Sequence, residues 1–187
     1  MRLFVSVDLP DGFASAVAAI QDELRGASGL NVTDPTQAHV TLKFLGEVEE
    51  ARLEEVEDAL EAAVEDAGVA PFEATYGGLG AFPSEEYIRV VWLGVREGTE
   101  ALTRLQEAIE ERTLALGFEP ADHEFTPHVT LARMDHAGGK ALVQEVLREH
   151  DPTAGTTRVE AVRLTESVLG PDGPTYETVT SVSLTGR

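Results

Sequence analysis

The sequence predicts an α+β fold with antiparallel or mixed sheets, and three observations predict it. Short β-rich runs alternate with amphipathic helical stretches, many connections are hairpin-like, and one tetrapeptide occurs twice. Arg2 to Val7 alternates weakly and is rich in β-formers, which makes it the first strand. A helix follows, with Asp11 as its expected N-cap and Phe13, Val17, Ile20 and Leu24 on one stripe. His39 to Leu45 is the next strand, ended by Gly46. From about Glu49 to Ala67, Leu53, Val56, Leu60 and Val64 recur at 3–4-residue spacing, the period of a helix. Its nine acidic side chains against Arg52 alone read as a solvated face.

Phe72 to Phe82 and Tyr87 to Val95 form two strands turning at Pro83-Ser84. Glu100 to Leu116 is a helix with Leu102, Leu105, Ile109 and Leu116 inward, stopped by Gly117. His128 to Met134 is another strand, and Lys140 to His150 a short helix opening after Gly138-Gly139. Two final strands, about Arg158 to Leu169 and Tyr176 to Leu184, are joined by a Gly-Pro-Asp-Gly-Pro turn. No linker or break in composition divides residues 1–187, which are read as one domain.

The 187 residues, 42% of them hydrophobic, suffice for a buried core. The absence of cysteine excludes disulfides, thiol nucleophiles and zinc–thiolate sites and makes the cytoplasm the expected compartment. The opening MRLFVSVDLP is interrupted by Asp8 and does not read as a secretory signal. No apolar stretch approaches the roughly 20 residues that span a bilayer. Charge is the outlying property: 34 acidic against 14 basic residues give −20, and only Lys43 and Lys140 are lysines. The basic footprint of a generic nucleic-acid binder is therefore missing. An acidic regulatory protein is one reading. The favoured one is a halophilic surface, adapted to molar salt where the Debye length falls to about 3 Å.

The repeated tetrapeptide carries the chemistry. His39-Val40-Thr41-Leu42 and His128-Val129-Thr130-Leu131 are identical, 89 residues apart, and each lies in an expected strand. Given one copy, a shuffled chain of this composition makes a second in roughly 0.4% of cases. The repetition points to a pseudo-two-fold arrangement. On a strand, His and Thr share one face about 7 Å apart while Val and Leu point to the other. If the two strands meet across a cleft, two imidazoles and two hydroxyls converge. Histidine, with an unperturbed pKa near 6.5, can take a proton from an attacking oxygen or give one to a leaving oxygen. Thr41 and Thr130 would donate hydrogen bonds to non-bridging phosphate oxygens. That set suits phosphodiester cleavage with no metal and no cofactor. Neither copy has a second histidine at metal-ligand spacing, and no Gly-x-Ser-x-Gly turn marks a serine hydrolase. His123, His136 and His150 lie in polar, loop-like or helix-end contexts and read as solvated.

These motifs, in their flanks, resemble the two-histidine phosphoesterases, and among them the RNA 2′,3′-cyclic phosphodiesterases also called 2′-5′ RNA ligases. The likeness runs through Met1–Pro10, His39-Val-Thr-Leu-Lys-Phe-Leu-Gly-Glu47, Val91-Trp-Leu-Gly94 and Thr126-Pro-His-Val-Thr-Leu-Ala-Arg133. It ends at Ser167-x-Leu-x-Pro-x-Gly-Pro-x-Tyr176 and so covers essentially the whole chain. The resemblance implies two pseudo-two-fold-related lobes, each a small antiparallel or mixed sheet with helices, around a central cleft. It implies His39 and His128 as the acid–base pair and Thr41 and Thr130 on the phosphate. Arg133, five positions after the second histidine, would support the phosphate, and Phe44, at the same offset from the first, would contact a nucleobase.

Strict alternation sends Phe44 and Arg133 to the face opposite the histidines, so each needs a bulge to re-aim it. The shared offset suggests one common distortion. Lys43 shares the histidine face under the same alternation and could add positive charge there. The reaction implied is hydrolysis of an RNA-terminal 2′,3′-cyclic phosphate to a 2′-phosphomonoester. The alternatives are 2′-5′ joining of tRNA halves at the same site and a non-catalytic RNA-end binding module. RNA ends or small cyclic nucleotides are the expected substrates, and a monomer the expected state.

Overall fold

A computed structural model describes residues 1–186. In chain order the elements are β1 (Arg2–Asp8), α1 (Ala14–Asp22), β2 (Leu30–Val32), β3 (His39–Glu47), α2 (Leu53–Ala67), β4 (Phe72–Pro83) and β5 (Ile88–Glu97). There follow α3 (Thr99–Ala115), β6 (His128–Met134), α4 (Lys140–Glu149), β7 (Thr153–Val159), β8 (Ala161–Gly170) and β9 (Gly173–Ser183).

The strands run β7-β4-β5-β6-β3-β1-β8-β9, with β2 added beside β6, and the pairs are antiparallel. At the centre β3 and β6 are joined by one residue pair, Val40 opposite Val129. That narrow junction divides the sheet into a half of four strands (β3, β1, β8, β9) and a half of five (β7, β4, β5, β6 and β2), and the two copies of the tetrapeptide form it. Helices α2 and α3 pack on each other and against β3, β8 and β9, covering the first half. Helix α1 contacts β6 and β7 in the second, and Gln144 of α4 donates to the Glu85 carbonyl (2.7 Å) beyond β4. The architecture is thus the expected two-lobed α+β fold, with purely antiparallel pairing. The lobes interleave in the chain, because β8 and β9 return to the lobe that β1 began.

Local sequence explains most elements. Val56, Leu60, Ala63, Val64 and Ala67 form the buried stripe of α2, and Gly68 ends it in the left-handed region at φ 61°, which favours glycine. Val40, Leu42, Val129 and Leu131 are buried behind the junction, the apolar side of both motif strands. Other expectations are corrected. Asp11 caps nothing: Asp11–Phe13 is a 3-10 turn that leads directly into α1. Gly46, at φ 74°, bends β3 without ending it. The single strand expected over Arg158 to Leu169 is the end of β7 and most of β8, parted at Glu160. No described helix is long and apolar enough to cross a membrane.

Candidate active site

The junction sets the geometry. Continuing its antiparallel register by one residue each way brings His39 level with Thr130 and Thr41 level with His128. With Val40 and Val129 fully buried on the other side, the two histidines and two threonines share the open face. The sequence shows each pair on one face of its own strand; the junction puts both pairs on the same face.

Each imidazole is held in the same way. His39 Nδ1 lies 2.9 Å from the Gln37 carbonyl and His128 Nδ1 2.6 Å from the Thr126 carbonyl, in both cases two residues upstream. A carbonyl only accepts, so each Nδ1 carries hydrogen and each Nε2 is left for proton transfer. His39 Nε2 meets the Thr41 hydroxyl at 3.1 Å. Aromatic rings brace both sides: Phe4 and Tyr176 each lie 5.1 Å from His39, and Phe82 and Trp92 lie 4.9 and 6.0 Å from His128. Gly80 lets β4 pass under the Trp92 indole, since a Cβ there would stand 2.2 Å from the ring. Phe4, Trp92 and Tyr176 lie in segments that carry the resemblance, but sequence reading assigned no role to them or to Phe82, because the four rings come from β1, β4, β5 and β9 and meet the histidines only through strand pairing.

Burial is the chief cause that lowers both histidine pKa values below 6.5. The secondary influences differ between the lobes. Asp8 is the register partner of His39, and its carboxylate pushes that pKa back up. Gly94 is the partner of His128 and supplies no charge. His123, His39 and Arg133 all push His128 further down. Asp8 is itself fixed, accepting from the Ser6 hydroxyl (2.9 Å) and from Arg163 (3.2 Å). A cavity of about 500 Å³ opens beside His39, walled by Phe4, Asp8, Gln37, Arg163 and Tyr176.

Matched bulges reverse the side-chain alternation in both motif strands. On β3 Thr41 faces Ser6 and Lys43 faces Val5, leaving Leu42 extra. On β6 Thr130 faces Trp92 and Ala132 faces Val91, leaving Leu131 extra. The residues after each bulge change sides. Phe44 (69% exposed) and Arg133 therefore emerge on the open face, and Arg133 lies close enough to lower both histidine pKa values. The same reversal corrects the expectation for Lys43. It does not share the histidine face but turns inward, 5% exposed, with Nζ 2.8 Å from Glu110 and donating to the Glu119 carbonyl at 2.6 Å. The Glu110 contact is too oblique for a hydrogen bond and acts as an ion pair. His136 and His150 lie elsewhere, accepting from the Gly138 amide and standing 3.8 Å from Glu23 respectively.

A family model described as the 2′-5′ RNA ligase superfamily matches residues 9–170. The chain is 38% identical over 178 residues to an RNA 2′,3′-cyclic phosphodiesterase of Archaeoglobus fulgidus, covering 95% of this chain and 97% of that protein. It is 36% identical to the protein of that name from Methanothermobacter thermautotrophicus, covering 94% and 95%. A solved structure from Thermus thermophilus superposes with a TM-score of 0.80 at 32% identity, covering 100% and 99%. E. coli LigT, crystallised with 3′-AMP, shares the fold with a TM-score of 0.79 at 24% identity, covering 98% of each chain.

Proposed function

The chain belongs to the 2′-5′ RNA ligase superfamily, and on that premise we propose that it hydrolyses RNA-terminal 2′,3′-cyclic phosphates to 2′-phosphomonoesters by two-histidine acid–base catalysis without a metal. The observation that carries this reading is the pair of imidazoles on one face of the junction, each with Nδ1 tied to a backbone carbonyl. The names of relatives at 38% and 36% identity support the substrate class.

In this mechanism His128 is the base and His39 the acid. Water attacks phosphorus, its proton passes to His128 Nε2, the P–O3′ bond breaks, and His39 Nε2 protonates O3′. The assignment rests on Asp8, which favours a charged His39, against Gly94, which leaves His128 without a compensating anion. Thr41, Thr130 and Arg133 hold the non-bridging oxygens, and Phe44 offers its exposed ring to the terminal base. Incubating the protein with EDTA and an RNA ending in 2′,3′-cyclic phosphate, then mapping the product, tests the reading. A 2′-phosphate product supports it, and unconverted RNA or a 3′-phosphate product contradicts it. Paired tRNA halves with cyclic-phosphate and 5′-hydroxyl ends, assayed for a joined strand, test ligation at the same site.

The pH dependence follows from the pKa directions. A neutral base and a protonated acid make kcat/KM bell-shaped, rising as His128 loses its proton and falling as His39 loses its own. Both free-enzyme values lie below 6.5, so both limbs of kcat/KM fall on the acid side of 6.5. Asp8→Asn removes the charge that raises the His39 pKa and moves the descending limb to lower pH. A shift of the ascending limb instead would reverse the acid–base assignment.

The net charge of −20 suits a molar-salt solvent, and we place this protein there. Screening lowers self-repulsion and the repulsion of RNA, so activity and thermal stability both rise with added KCl. A steady decline from low salt upward, measured on the same substrate, would remove the halophilic reading and leave the chemistry untouched.

A further inference from the structure

Arg89 and Tyr87 lie just beyond the proposed phosphate site. Val90 of β5 is the register partner of Arg133 on β6, so Arg89 is one residue from the strand position beside that arginine. A second bulge occurs here: Phe82 faces Val90 and Pro83 faces Ile88, leaving Arg89 extra. Ile88 is 8% exposed in the core, while Arg89 is exposed, which puts Arg89 on the same open face as Arg133. Its guanidinium lies 5.2 Å from the Tyr87 ring centroid and donates to the Tyr87 hydroxyl at 2.6 Å. The base of this hairpin tip is anchored to α4 by the Gln144 bond to Glu85.

Charge makes the pair unusual. In a chain of 34 acidic residues, Arg25, Arg52, Arg96, Arg112, Arg158 and Arg163 are ion-paired with carboxylates. Arg2, Arg89, Arg104, Arg133 and Arg148 form no ion pair among the described residues, and of these Arg89 and Arg133 lie beside each other on the neighbouring strands β5 and β6. At the pseudo-equivalent position of the first lobe the strand pair is aromatic, Phe4 facing Phe44. Unneutralised guanidinium groups on the open face, one of them over an exposed ring, match a phosphodiester joined to a base.

We propose that Arg89 and Tyr87 form a subsite for the penultimate nucleotide of a single-stranded RNA, Arg89 taking its 3′-side phosphodiester and Tyr87 stacking on its base. This rests on the hydrolase reading above and adds a preference for substrate length. Glu85 and Glu86, both exposed and just before Tyr87 in the chain, add negative charge next to the pair, so the subsite takes one nucleotide and disfavours a further phosphate.

The test is a ladder of substrates: a 2′,3′-cyclic mononucleotide, then a dinucleotide and a tetranucleotide ending in the same group. For the unmodified protein kcat/KM rises about 5–150-fold from mononucleotide to dinucleotide, the range of one stacked base, and is flat beyond. Arg89→Gln and Tyr87→Ala each reduce that step, chiefly through KM, with a far smaller effect on the mononucleotide. Both side chains are exposed, so melting temperatures stay within a few degrees of the parent. Absence of the step in the parent protein, or its persistence at full size in both variants, overturns the subsite. Failure of the parent protein to convert any of the three substrates overturns the hydrolase reading itself, and the subsite with it.

Discussion

Replacing either His39 or His128 with alanine lowers kcat on a 2′,3′-cyclic phosphate by roughly 10³–10⁴-fold while leaving KM near its parent value. Each proton transfer is worth about 10²–10⁴-fold, and loss of either partner disables a concerted displacement, so the double variant is little worse than either single one. KM is spared because Thr41, Thr130, Arg133 and Phe44 remain on the open face. The fold survives the change, since each ring is only partly buried and its carbonyl partner faces the opened, solvent-filled space. Steady-state kinetics with a melting curve for each variant separates chemistry from folding. Parent-like kcat in either variant would show that its imidazole moves no proton. A parent protein that binds cyclic-phosphate ends without converting them would be the binding module.

Lys43→Met destabilises the protein by about 3 kcal/mol, at the lower end for a broken buried pair because Glu110 retains some exposure. For a chain of this size that is a fall in melting temperature of about 6–12 °C. The cause is the Glu110 carboxylate, left partly buried without its cation and still accepting from the Ala121 amide. Adding Glu110→Gln removes the stranded charge and restores most of the loss. The activity of the folded fraction stays at the parent level, because Lys43 is turned away from the cleft. An unchanged melting temperature would refute the buried pair, and a fall in kcat beyond the folded fraction would return Lys43 to the substrate.

The two strands at the heart of the cleft were legible as sequence because their information is local. A period of two and an apolar Val–Leu back place His39 with Thr41, and His128 with Thr130, whatever strands lie beside them. β2 and β7 were not legible. Leu30–Val32 is three residues long, and Thr153–Val159 is polar and small-residued, with Gly155 in its middle. Neither carries enough apolar residues at alternate positions to read as a strand on its own, and each becomes one by pairing with a neighbour, β6 or β4, whose position its own residues do not encode.

Amino-acid sequence alone determined the α+β class, the matched His-x-Thr strands and the acidity of the surface, since periodicity and composition belong to single segments. Tertiary structure decided which side Lys43, Phe44 and Arg133 face, and which aromatics and which carboxylate surround each imidazole. A bulge is a mismatch of two residues against one between partner strands, so no strand read alone can reveal it. Asp8 meets His39 for a similar reason: the contact exists only because β1 lies beside β3 in one particular register.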